Sequence, residues 1–140
     1  MALGVFRKLV DEKGAASRFE LDSAATHDFH VGSPAFPPVV ALARSRGYDL
    51  ATFTARRIRD GDFDRFDHIL AMDRLNIAAL QAIAPTRCRQ KIELLLDYGE
   101  RYQGREVPDP FGGKPEAYAL ALDMIEDGCR GLADLLLREA

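Results

Sequence analysis

A single carboxylate is held between two prolines in the last third of the sequence. Asp109 lies in the run of residues 107–113, with a proline on each side, then Phe111 and two glycines. Each proline fixes its own φ and the glycines allow a sharp turn, so this loop would hold one acid still. A carboxylic acid held in this way can protonate a leaving group as a general acid. The same residues also fit an ordinary surface turn, and both interpretations stay open.

The two cysteines do not begin an anion-binding loop. Six positions after each of them, where a guanidinium could pair with a bound anion, the sequence has a leucine: Leu94 after Cys88 and Leu135 after Cys129. Cys129 is expected to be a small buried side chain on the last helix. The role of Cys88 stays open.

Nucleotide and metal motifs are incomplete in this sequence. Gly113 and Lys114 resemble the end of a nucleotide-binding loop, but Pro108 occupies the upstream glycine position and has no N–H for a phosphate.

Three aspartates begin like a calcium loop but lack its turn glycine and closing acid: Asp60, Asp62 and Asp64. Two histidines lie three residues apart without a third ligand nearby: His27 and His30. No metal and no cofactor is predicted.

Length and composition favour one small soluble domain. The 140 residues suffice for one core, so a single domain over residues 1–140 is predicted. The formal net charge of -3 gives no broad basic field for nucleic acid, and no apolar run approaches the roughly 20 residues of a membrane span. Two cysteines make no disulfide framework, which favours a reducing cytoplasm. Neither a nucleic-acid nor a membrane role is expected.

Helices alternate with short apolar strands along the chain. Helices are predicted at residues 1–10, 39–46, 74–83 and 116–137, the third capped by Asp73; strands are predicted at 18–23, 66–72 and 91–96. This alternation predicts an α/β fold with a parallel sheet covered on both faces. Ligands of such folds bind at the carboxyl ends of the strands.

Five strings in the same order resemble the low-molecular-weight protein tyrosine phosphatase family. They lie at residues 2–9, 21–26, 55–73, 109–111 and 125–129. The resemblance implies a doubly wound three-layer α/β fold, the phosphotyrosine phosphatase I-like fold. It also implies a phosphotyrosine-bearing protein as substrate and inorganic phosphate as product.

The resemblance further implies a two-step phosphoryl transfer. A cysteine thiolate at the start of a Cys-x5-Arg loop would attack phosphorus, and Asp109 would protonate the departing phenol. Phe111 would flank the phenyl ring of the substrate, and Ser23 would steady the phosphate loop by hydrogen bonding. Since burial and nearby negative charge favour the protonated form of a carboxyl, partial burial of Asp109 is expected.

Three departures separate the sequence from this family pattern. The central strand and Cys-x5-Arg loop that should precede Ala2 are missing, so the nucleophilic cysteine is absent and the chain as given is expected to be inactive. Phe53 stands where bacterial relatives usually have a loop-supporting histidine. Phe111 is followed by Gly112 where a second aromatic is usual, a pattern shared with relatives that act on phosphoarginine.

Two explanations of the missing strand remain. Losing four buried apolar side chains of a central strand would cost roughly 6–12 kcal/mol, which favours a chain started at an internal methionine. The alternative is a natural non-catalytic protein with a binding or regulatory role. The substrate, phosphotyrosine or phosphoarginine, also stays open.

Overall fold

The computed structural model describes residues 1–26, 37–50, 56–110 and 113–139. Its helices and strands in chain order are α1 (Ala2–Glu12), α2 (Pro37–Ser45), α3 (Asp62–Arg65), β1 (Ile69–Ala71), α4 (Arg74–Ile83), β2 (Ile92–Leu94) and α5 (Pro115–Glu139). Short 3-10 helices lie at Ala16–Arg18, Thr86–Lys91 and Leu95–Tyr98.

The two strands form a parallel pair. Ile69 of β1 lies opposite Ile92 of β2, and Ala71 lies opposite Leu94. The connection between them runs through α4, as a parallel crossover requires. An isolated parallel bridge joins Ala25 to Arg57. The predicted α/β fold with a parallel sheet is confirmed.

Strand side chains alternate between the two faces of a sheet. Here both faces carry apolar side chains, and helices cover both. On one face Ala71 and Ile92 join a buried cluster with Phe63 of α3 and Leu80 of α4. On the other face Leu70 packs against a larger cluster from α1, α2 and α5. The result is three layers, with the sheet in the middle. That the whole of residues 1–140 forms one domain stays a prediction.

The helix predictions follow local signals and agree with the structure. α4 has the predicted bounds, because the Asp73 carboxylate accepts a hydrogen bond from the Asn76 N–H and caps the helix. The apolar face of α1 buries Phe6 and Val10, while Leu9 is only partly buried. No helix among the described residues is both long and apolar enough to cross a membrane.

The strand predictions are less accurate. No strand forms at residues 18–23: a 3-10 turn occupies Ala16–Arg18, and the nearest pairing among the described residues is the isolated bridge of Ala25 with Arg57. The predicted strand at 91–96 shortens to Ile92–Leu94, and the next residues enter the 3-10 helix Leu95–Tyr98. A strand is defined by its partner, and alternation along one segment does not reveal whether a partner lies beside it.

Candidate active site

The acid loop, residues 107–113, is attached to the carboxyl end of β1. The Val107 N–H donates a 2.8 Å hydrogen bond to the carbonyl oxygen of Met72, the residue after β1. The next residue, Asp73, caps α4 with a 2.7 Å bond from the Asn76 N–H to its carboxylate. The start of the acid loop and the N-terminus of α4 therefore meet where ligands of parallel sheets bind.

The residues just before the acid loop are joined to the start of α4. One carboxylate oxygen of Glu106 accepts a 2.7 Å hydrogen bond from the backbone N–H of Arg74. The other lies 3.5 Å from the Arg74 guanidinium, which also donates to the carbonyl of Gly104 at 3.3 Å. An anionic side chain at a helix N-terminus is stabilised by the helix dipole. Glu106 and Val107 thus fix the chain just before Pro108.

The segment that leads to the acid loop is fixed to α5 by Asp127. This buried carboxylate accepts bonds from the backbone N–H groups of Glu100 at 3.2 Å, Arg101 at 3.3 Å and Tyr102 at 2.9 Å. Burial acts to raise the pKa of Asp127, but the three amide donors outweigh it and lower the pKa. Its partners lie 25 to 27 positions away in sequence, so no local pattern could have revealed this role.

Asp109 is exposed at the surface, two residues beyond the Val107 anchor. The expected partial burial is therefore wrong for this structure. An exposed carboxyl at this edge remains accessible to a substrate. Phe111, the predicted aromatic neighbour of the substrate, lies outside the described residues, as do Gly112 and Phe53.

Ser23 lies on a segment that reaches the same helix terminus. Its backbone N–H donates to the Asp22 carboxylate at 2.8 Å, and its side chain is exposed. Three residues later, the Asn76 side-chain amide of α4 lies 3.5 Å from the Thr26 hydroxyl. The segment that carries Ser23 and the end of β1 are thereby brought to one side of the molecule.

An arginine and two carboxylates hold the Ser23 segment in place. The Arg56 guanidinium binds Asp22 at 3.0 Å and Asp62 at 2.9 Å. Arg56 lowers the pKa of Asp62 and outweighs the effect of burial. Sequence reasoning did not predict this network, although the strings containing Arg56 and Asp62 contribute to the family resemblance.

Both cysteines of the sequence are buried. Cys129 is 1% exposed on α5, and burial raises the pKa of its thiol to about 12, as fits the predicted packing role. Cys88, whose role the sequence left open, is 2% exposed within the cluster that contains Phe63 and Leu80. Neither thiol is placed to attack a bound substrate, because both side chains are buried and a nucleophile must be exposed.

No site for a metal ion is found in the part of the chain that the structure describes: no three His, Cys, Asp or Glu side chains are grouped there. His68 is exposed at the start of β1, and the pair His27 and His30 lies outside the described residues. The prediction that no metal and no cofactor is needed stays a prediction.

An open cleft of about 570 Å³ lies beside the acid loop. Its walls are Asp73 and Arg74, residues 105–108, and Leu120 and Met124 of α5. This volume is within the range of pockets that hold small ligands or side chains.

Comparison with known proteins identifies the family. A family model described as low molecular weight phosphotyrosine protein phosphatase matches residues 1–140. The low molecular weight protein-tyrosine-phosphatase YfkJ of Bacillus subtilis is 33% identical over 141 residues, which cover 99% of this chain and 88% of the relative. The low molecular weight phosphotyrosine protein phosphatase of Sus scrofa is 33% identical over 136 residues, covering 96% of this chain and 85% of the relative.

Solved structures give the same result. A protein tyrosine phosphatase from Entamoeba histolytica superposes with a TM-score of 0.94 at 30% identity, covering 99% of this chain and 88% of that one. The crystal structure of Bacillus subtilis YfkJ gives 0.89 at 32% identity, with 99% and 86% covered. The acid loop at the carboxyl end of β1, the family match and these relatives agree: the chain belongs to the low molecular weight phosphotyrosine protein phosphatase family.

Proposed function

We propose that this chain belongs to a cysteine-dependent phosphatase that acts on phosphotyrosine proteins, with Asp109 as the general acid. The observation that carries the proposal is the Val107 to Met72 hydrogen bond, which attaches the acid loop to the carboxyl end of β1. The names of the relatives, which speak of protein tyrosine or phosphotyrosine, support this substrate over phosphoarginine.

The chemistry requires a proton at the departing oxygen. A phenolate with a conjugate acid of pKa about 10 leaves poorly at neutral pH, so a positioned carboxylic acid can contribute roughly 10²–10⁴-fold. Asp109 is accessible, and the anchored residues before it restrict its position. In this proposal Ser23 supports the phosphate-binding loop and Phe111 lies along the substrate ring. Both of these roles come from the family resemblance.

Neither buried cysteine supplies the nucleophile. Cys88 and Cys129 have no arginine six positions on, and both side chains are buried. We therefore expect no turnover of aryl phosphates by the 140-residue polypeptide alone. The same observation favours a second candidate, a binding or regulatory role for this polypeptide without hydrolysis.

The test adds the missing chemistry. A family strand and Cys-x5-Arg loop are joined ahead of Ala2, and Asp109→Asn is compared with the unchanged fusion. With phenyl phosphate, kcat/KM, which reports the steps up to departure of the phenol, should fall by about 10²–10⁴-fold, because the phenolate then leaves unprotonated. With an aryl phosphate whose phenol is strongly acidic, the fall in kcat/KM should be much smaller, because that phenolate leaves without a proton. The alkaline limb of the pH profile should also flatten, since that limb reports a group that must be protonated.

The matched control is Asp134→Asn, an exposed aspartate on α5 whose carboxylate meets Lys13 at 3.5 Å. This variant should hydrolyse both aryl phosphates at the rate of the unchanged fusion and keep its pH profile. Equal losses on the two substrates, or an unchanged alkaline limb in Asp109→Asn, would rule out Asp109 as the acid. An inactive but folded fusion would favour the binding role.

A further inference from the structure

We propose that the cleft beside the acid loop binds the part of a phosphoprotein substrate that flanks its phosphorylated residue, through one apolar and one acidic side chain. This inference rests on the proposed function, because it gives that function a peptide preference. The cleft lies on the described part of the chain, between residues 105–108, the start of α4 and α5.

The floor of the cleft is apolar. Val107 is 4% exposed and Met124 is 5% exposed, so both are already fixed in the protein. Leu120 is 44% exposed, one of the large hydrophobic side chains that the fold leaves at the surface. Pro108 adds a rigid apolar ring beside them. An apolar side chain bound here would remove Leu120 from water, which favours binding.

The charges at the rim leave one cation available. The Asp73 carboxylate caps α4, and both oxygens of Glu106 are engaged by Arg74. The Arg74 guanidinium is itself occupied by Glu106 and the carbonyl of Gly104. The Arg105 side chain is exposed, and no described residue pairs with its guanidinium. An acidic side chain of a bound peptide would be complementary to Arg105.

The distance from the acid suits a flanking segment. Pro108 lines the cleft and is the direct neighbour of Asp109, so their Cα atoms are about 3.8 Å apart across a trans peptide. An extended peptide advances roughly 3.3–3.6 Å per residue. Arg105 is four residues from Asp109, so it lies at most about 13–14 Å away, and a substrate residue within four positions of the phosphorylated one can reach the cleft.

The test uses the 140-residue chain itself, labelled with ¹⁵N, and unphosphorylated peptides with a central tyrosine. In one peptide leucine and glutamate follow the tyrosine within four residues, and in the other they precede it. We expect one of the two to cause saturable amide shifts at Arg105, Val107 and Leu120. Arg105→Glu should weaken binding by about three- to tenfold, and Leu120→Ala by a similar factor. Added salt should weaken it as well.

Two variants are matched controls on distant parts of the fold. Arg89→Glu changes another exposed arginine, on the 3-10 helix Thr86–Lys91, and Ile83→Ala changes another exposed apolar residue, at the end of α4. Both should bind as the unchanged chain does. Equal weakening by controls and cleft variants, or the absence of saturable shifts at the cleft with either peptide, would overturn the proposal. Because the peptides carry no phosphate, this result is independent of whether Asp109 is the acid.

Discussion

Asp127 shows how one residue positions the chain before the acid loop. Its carboxylate accepts three backbone N–H bonds, so Asp127→Ala would leave those donors without their partner. We expect the free energy of unfolding to fall by about 2–4 kcal/mol, measured by urea denaturation. Asp134→Ala on the same helix should cost less than about 0.5 kcal/mol, since that side chain is exposed. A loss for Asp127→Ala no larger than for this control would contradict the role.

At the residue scale, the sequence predicted the features that depend on neighbours in the chain. Asp73 was identified as a helix cap because its partner, Asn76, lies three positions away. The three-amide role of Asp127 and the Arg56 network connect distant residues, so spacing alone could not show them. The partial burial of Asp109 was expected from the chemistry of an acid, and the structure places this side chain at the surface.

At the element scale, two glycines let α5 approach the 3-10 helix Leu95–Tyr98. A Cβ on Gly131 would overlap the carbonyl oxygen of Tyr98 and lie 2.7 Å from its carbonyl carbon. A Cβ on Gly128 would lie 3.0 Å from the carbonyl oxygen of Leu95. At Gly128 the nearest atom is the Leu95 side-chain Cγ at 2.7 Å, whereas at Gly131 the obstacle is backbone, which cannot turn away to make room. α5 can therefore lie this close to the 3-10 helix only with glycine at these two positions.

Gly131→Ala should destabilise the chain although alanine favours a helix more than glycine does by about 1 kcal/mol. We expect a net loss of about 1–3 kcal/mol in the free energy of unfolding, because the backbone must shift. Gly61→Ala is the matched control, since a Cβ at that residue would have no atom within 4 Å. Circular dichroism during thermal unfolding measures the stability of both variants. An increase in stability for Gly131→Ala would show that α5 does not pack this closely.

Among the elements, helices were predicted better than strands. α4 combines a cap with an apolar stripe, and both signals lie within the helix itself. β2 is only three residues long, and its extent depends on pairing with β1, which the sequence does not display. The segment 18–23 alternates like a strand, yet it forms none, and the nearest pairing among the described residues is the isolated bridge at Ala25.

For the whole molecule, stability should depend on two aspartates at acidic pH. Arg56 lowers the pKa of Asp62, and three backbone amides outweigh burial to lower the pKa of Asp127, each below the ordinary 3.8. The unfolded chain therefore binds more protons than the folded one below that pH. The stabilisation is complete above pH 3.8 and is lost as the pH falls through the folded-state values.

Urea denaturation between pH 6 and pH 2 measures this effect. The free energy of unfolding should fall with a slope that approaches about 1.4 kcal/mol per pH unit for each proton taken up. In the double variant Asp62→Asn and Asp127→Asn, stability at neutral pH should be lower and the acid slope shallower. Asp134→Asn should keep the slope of the unchanged chain, because its carboxylate is exposed. An identical slope in the double variant would mean that other carboxyl groups govern the acid transition. The comparison therefore tests two contacts: that of Asp62 with Arg56, which holds the Ser23 segment, and that of Asp127 with the backbone before the acid loop.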